Sequence, residues 1–95
     1  MNTNYEVMYI IKPIDEALCY EITDKLKNVI AENNGTVKKI DFWGKKRLAY
    51  QIQSYIDGFY ILMTFKANST AVKKLDHALK ITENVMRHMI IRKEY

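Results

Sequence analysis

The sequence predicts a two-layer α+β sandwich: a four-stranded antiparallel sheet with two helices on one face, in the order strand–helix–strand–strand–helix–strand. Three observations predict it. Four segments are rich in β-branched and aromatic residues. Two others carry apolar residues at steps of three and four, each opened by a capping side chain. The chain runs through strand–helix–strand twice, and two right-handed crossovers then place both helices on the same face. The 95 residues are expected to form one domain over 1–95, and a hydrophobic content of 48% with only 3 Gly and 1 Pro excludes a disordered or low-complexity chain.

Residues 5–12 read as the first strand, stopped by Pro13. Val7, Tyr9 and Ile11 share one face; Glu6, Met8 and Ile10 share the other. Apolar groups on both faces suggest a central strand. Residues 15–32 read as a helix capped by Asp15, with Leu18, Ile22, Leu26, Val29 and Ile30 inward. Asn33-Asn34-Gly35 supplies a left-handed stop. The outward acids Glu21, Asp24 and Glu32 should turn this helix away from any RNA. Residues 36–53 form a long extended stretch, with a bulge expected near Lys38-Lys39, a second irregularity at Gly44, and clean alternation of Leu48, Tyr50 and Ile52. Its lysines suit an edge strand. Asp57-Gly58 reads as a turn, and residues 59–66 as a central strand. Asn68 or Ser69 opens the second helix, with Val72, Leu75 and Leu79 inward. Residues 85–93 are the last strand, whose inward set the pattern leaves open. The face without helices should be bare, and apolar groups such as Met8 and Ile10 would make it an interaction surface.

Charge is segregated. Residues 1–35 hold three lysines and six acids, hence −3; residues 36–50 hold five bases and one acid, hence +4; residues 51–65 hold one acid; residues 66–95 hold seven bases and three acids, hence +4 again. Segregated positive charge points to a polyanionic partner, with a solvated lysine-rich face as the alternative. Catalytic readings find little support. His77 and His88 have no Ser, Cys or acid at a triad spacing, and the single Cys19 excludes an intrachain disulfide or a CxxC pair. One free thiol and no visible signal peptide fit a reducing, cytoplasmic setting. The segment after the first strand, Lys12-Pro13-Ile14, lacks the glycines of a phosphate-cradling loop. No cofactor or metal is expected.

Two segments echo RNA-binding patterns. Residues 57–65 partly match the third strand of an RNA recognition motif, but Ile61 and Thr64 stand where stacking aromatics belong. Gly44-Lys45-Lys46-Arg47-Leu48-Ala49-Tyr50 is the stronger signal: three consecutive bases beside aromatics can neutralise phosphates. That segment resembles the G-x-[KR]-x-LAY-x-I signature of the bacterial small-subunit ribosomal protein S-six family. Tyr5-Glu6-Val7 and Pro13 resemble the family's opening; Gly58-Phe59-Tyr60 resembles the start of its third strand; and Asn84-Val85-Met86-Arg87-His88-Met89-Ile90-Ile91-Arg92 resembles its closing strand. The resemblance covers residues 4–93. Departures are Gln51 for a frequent proline, Met86 and Thr82 where some members carry arginine, and no charged tail after Tyr95.

The resemblance implies a ferredoxin-like βαββαβ fold and a structural, non-enzymatic role in the small ribosomal subunit. It implies binding to the central domain of 16S rRNA together with the small-subunit protein S-eighteen. Lys45, Lys46, Arg47, Lys80, Arg87, Arg92 and Lys93 are the expected RNA contacts, with Arg87 alternatively a structural tie from the last strand to a neighbouring acid. Trp43, Tyr50, Tyr60, Met8 and Ile10 are the expected contacts to the partner protein. The main alternative is a free-standing module, similar to an RNA recognition motif, that binds single-stranded RNA.

Overall fold

A computed structural model describes residues 2–93. They form β1 (Thr3–Ile11), α1 (Glu16–Glu32), β2 (Thr36–Ile52), β3 (Tyr55–Ala67), α2 (Ser69–Ile81) and β4 (Val85–Lys93). The sheet order is β2-β3-β1-β4 with every neighbouring pair antiparallel, so β1 and β3 are central and β2 and β4 are edges. This is the ferredoxin-like sandwich expected from the sequence.

One face of the central strands makes the core. Val7, Tyr9 and Ile11 of β1 and Ile61, Met63 and Phe65 of β3 have no solvent exposure, and they pack with Leu26 and Ile30 of α1 and Leu75 and Leu79 of α2. Burying aliphatic and aromatic side chains of this size stabilises by about 1.5–3 kcal/mol each. Asp15 caps α1 by accepting from the Ala17 N–H at 2.8 Å, and Asn68 caps α2 by accepting from Ala71 N–H at 2.9 Å. α1 ends at Asn33, and the left-handed stop falls on Asn34 at φ 67°.

The inward stripe of α1 holds Leu26 and Ile30, with Ile22 packed against the core, as expected, and departs from the expected one at its start. Leu18 is 45% exposed, and Cys19, Thr23, Leu26 and Ile30 are the buried positions. That set follows the same three-and-four spacing, shifted by one residue at its start. Thr23 belongs to it because its hydroxyl is bonded to the buried Tyr9 hydroxyl at 2.8 Å. A polar side chain with a buried partner costs little to bury, and so escapes a search for apolar periodicity. Burial pushes the Tyr9 phenol up to about 12.

β2 carries both expected irregularities: its register against β3 shifts between Val37 and Lys39, and again between Phe42 and Gly44. Gly44 takes φ +83°, which glycine adopts without strain. Two other expectations are corrected. The turn lies at Gln53-Ser54, both at positive φ (49° and 74°), between the paired Ile52 and Tyr55. That is the backbone of a two-residue hairpin turn that normally recruits Gly or Asn, so no residue type announced it. Asp57-Gly58 instead lies within β3, where a Cβ on Gly58 would stand 2.6 Å from Ile10 Cγ2 and 3.1 Å from the Ile11 carbonyl oxygen. The glycine marks close packing, not a turn. Nor do Leu48, Tyr50 and Ile52 alternate in a regular ladder. Arg47 pairs with Asp57 and Ile52 with Tyr55, so four residues of β2 stand against Ile56 alone. The surplus bends this arm out of the sheet.

β4 turns Val85, His88 and Ile90 toward the helices and Arg87, Met89 and Ile91 toward the open face. His88 Nε2 lies 2.8 Å from Asp76 Oδ1 of α2, and Lys80 Nζ lies 2.9 Å from Asp76 Oδ2. The bond from His88, and then that from Lys80, hold the Asp76 carboxyl below its ordinary value of 3.8. A carboxylate whose folded-state pKa is depressed contributes stability above its unfolded pKa and loses it as pH falls through the folded value.

Two expectations follow, both read by urea unfolding. Gly58→Ala should destabilise by about 1–3 kcal/mol, the usual range for overpacking, since its Cβ has only Ile10, Met86 and the Ile11 backbone to push against. Asp76→Asn should be less stable than the parent at pH 7, and the two midpoints should converge as pH falls through the depressed pKa of the parent carboxylate. A gap that stays constant down the whole acid limb would show that Asp76 acts by packing alone.

Candidate functional site

The arm of β2 and β3 lies over the open face of the sheet. Leu48 is 7% exposed, and beneath it Ile10 is 6% exposed. Met8, Ile10, Leu48, Ala49, Tyr50, Ile52, Tyr60, Arg87 and Met89 line a groove of about 220 Å³ between arm and sheet. The expected bare face is therefore partly roofed by the chain itself. Of the five expected partner contacts, Met8, Ile10, Tyr50 and Tyr60 meet in this groove, with Ile10 at its floor and Tyr50 61% exposed at its rim. Trp43 stands apart: it occupies the skipped position between Phe42 and Gly44 in the ladder and is 49% exposed.

The expected RNA contacts fall into four places. Lys45, Lys46 and Arg47 lie side by side on the β2 edge, all exposed and, among the described residues, in no ion pair. Arg47 stands opposite Asp57 in the ladder without pairing to it. Arg87 lies on the opposite edge of the sheet in the row of Ile10, Tyr60 and Gly44. The β2 arm nevertheless brings Tyr50 to it: the guanidinium donates to the Tyr50 hydroxyl and sits over the ring, 5.3 Å from its centroid. The tie from Arg87 is thus to a tyrosine of the arm and not to an acid. Arg92 and Lys93 lie at the far end of β4, in the rows of Val37 and Thr36. Five residues along a strand separate Arg92 from Arg87 by about 17 Å. Lys93 Nζ is 3.5 Å from Glu6 Oε1, and Lys80 on α2 is held by Asp76. The structure therefore keeps Lys45, Lys46 and Arg47 on one edge, alternating between its two faces, next to the arm that meets Arg87, and sets the other three apart.

The remaining reactive groups are structural. Cys19 of α1 is fully buried, and burial, then Glu16 and Asp15, push its thiol up to about 11, so it stays protonated at neutral pH. His77 is exposed on α2 beside Lys73 and Lys74. The bond between His88 and Asp76, which spacing in the sequence does not reveal, ties β4 to α2. The four-against-one bulge also escapes sequence reasoning, although it falls on the Leu48-Ala49-Tyr50 motif itself. The motif marks where the arm leaves the sheet.

Comparison with known proteins bears on this geometry. The family model described as ribosomal protein S6 matches residues 4–92. The small ribosomal subunit protein bS6 of Desulforamulus reducens is 49% identical over 90 residues, covering 94% of this chain and 95% of that protein. The protein of the same name from Clostridioides difficile is 46% identical over 89 residues, covering 93% and 96%. In three dimensions, the crystal structure of 30S ribosomal protein S6 from Thermotoga maritima superposes with a TM-score of 0.92 at 24% identity, over 98% of this chain and 89% of that one, which bears on the fold alone. With a family match from residue 4 to residue 92, this chain belongs to the ribosomal protein S6 family.

Proposed function

We propose that this chain is a structural constituent of the small ribosomal subunit that binds the central domain of 16S rRNA jointly with the small-subunit protein S-eighteen. Family membership supports the ribosomal role. The observation that carries the RNA reading is the run Lys45, Lys46 and Arg47, exposed on an edge strand and without acidic partners among the described residues. Uncompensated cations on an edge gain most from releasing the counterions of a phosphate backbone. Arg92 and Lys93 extend the basic charge along the other edge, while the acids of α1 are exposed on the helix layer. The groove supports the protein-partner reading. An apolar floor of Met8 and Ile10 with tyrosines at the rim suits a side chain of a second polypeptide. Trp43 offers a separate aromatic anchor.

Stacking of single-stranded RNA on the sheet, as in an RNA recognition motif, needs open aromatics at the sheet centre. Here Ile10 and Leu48 close that region. The joint reading is therefore favoured over a free-standing module.

A salt titration tests the RNA contacts. Replacing Lys45 and Lys46 together with Ala should weaken binding to a central-domain rRNA fragment in the presence of the partner protein. It should also flatten log affinity against log salt by about one unit per lost contact; an unchanged slope removes both lysines from the interface. For Trp43, the emission should shift when the partner protein is added, and Trp43→Ala should weaken that association. Equal binding by the variant ends its role as an anchor.

A further inference from the structure

We propose that Arg87 is a positioning residue: by holding Tyr50 it clasps the arm of residues 48–56 down across the open face of the sheet, and through the arm it sets the groove and the basic edge together. The consequence for binding rests on the function proposed above; the clasp itself rests on geometry alone.

The contact spans the sheet. β2 and β4 are its two edges, with β3 and β1 between them. At about 4.8 Å per strand the edges are about 14 Å apart, so a β2 residue that stayed in the ladder would be out of reach of β4. Tyr50 reaches Arg87 only because Leu48, Ala49, Tyr50 and Gln51 face Ile56 alone and the arm bends over Tyr60 and Ile10. Burial does not hold the ring in place, since Tyr50 is 61% exposed. The turn beyond it places two residues other than glycine at positive φ. The guanidinium both donates to the hydroxyl and sits over the ring, a polar tie between the arm and β4. Lys45, Lys46 and Arg47 immediately precede the point where the ladder breaks, so the direction in which the arm leaves also sets how these three side chains are presented.

A phosphate contact and a clasp differ in measurable ways. In the free protein, Arg87→Ala and Tyr50→Ala should each speed amide hydrogen exchange at residues 48–56 about tenfold, the scale of one cation–π contact with one hydrogen bond. The double variant should add nothing further, and the central amides of β1 and β3 should keep their protection. Arm exchange unaltered in Arg87→Ala overturns the clasp. In binding to the central-domain rRNA fragment with the partner protein, both single variants and the double should weaken affinity equally and leave the salt slope unchanged. A slope reduced by about one unit in Arg87→Ala makes Arg87 a direct phosphate contact, and parental binding by Tyr50→Ala shows that binding does not need the clasp; either result also overturns the proposal. If the parent protein itself fails to bind the RNA, the proposed function falls, and the exchange experiment still decides the clasp.

Discussion

The burial of one face of β1 and β3 beneath two helices is the interaction on which the rest of the molecule depends. Val7, Tyr9 and Ile11 on one strand and Ile61, Met63 and Phe65 on the next form a fully buried surface, and Leu26, Ile30, Leu75 and Leu79 cover it. Two helices cover a sheet from one side only. The open face, the two edges and the outer helix surfaces are then all that the protein can present to partners, and each has a different character. The helix side contains a hydrogen bond between Tyr9 and Thr23 and a bond from His88 to Asp76, and among the described residues no buried side-chain polar atom is left unpartnered.

The open face is not simply what the helices leave uncovered. The β2–β3 arm folds across it, and Leu48 and Ile10, both buried, line the groove between arm and sheet. A flat apolar face thereby becomes a groove with tyrosines at its rim and Arg87 at one side. A groove admits one or a few side chains of a partner, whereas an open face would be prone to stacking or self-association. Gly58 permits this arrangement, since any larger residue there would push Ile10 out of the floor.

Charge is divided by the same architecture. The exposed acids Glu21, Asp24 and Glu32 lie on α1. Eight of the fifteen lysines and arginines lie on the edge strands, where they also block pairing with a foreign strand, and others lie on the helices. Some of these cations are already engaged at home: Lys80 with Asp76, Lys93 with Glu6, Lys39 with Asp41 at 3.7 Å. Among the described residues Lys45, Lys46 and Arg47 are not, and in this they differ from bases already engaged in ion pairs. A basic residue count alone does not separate these groups; the neighbours across the fold do.

The amino-acid sequence by itself determined the order of elements, the cap at Asp15, the cap of α2 to within Asn68 or Ser69, the central place of β1 and β3, and the bulges near Lys38 and Gly44. These follow from local chemistry: capping side chains, β-branched runs and breaks in alternation act within a few residues. The family, too, was legible, because the motif around Leu48-Ala49-Tyr50 is a contiguous string. Tertiary structure alone decided that Thr23 faces inward, that Gly58 serves close packing, that the turn sits at Gln53-Ser54, and that Tyr50 meets Arg87 across the sheet. Except at the turn, which lies between the paired Ile52 and Tyr55, the deciding neighbour lies far along the chain — 14 residues for Tyr9 and Thr23, 37 for Tyr50 and Arg87. Periodicity records which way a side chain points along its own element. It carries no information about which distant atom will occupy the space in front of it.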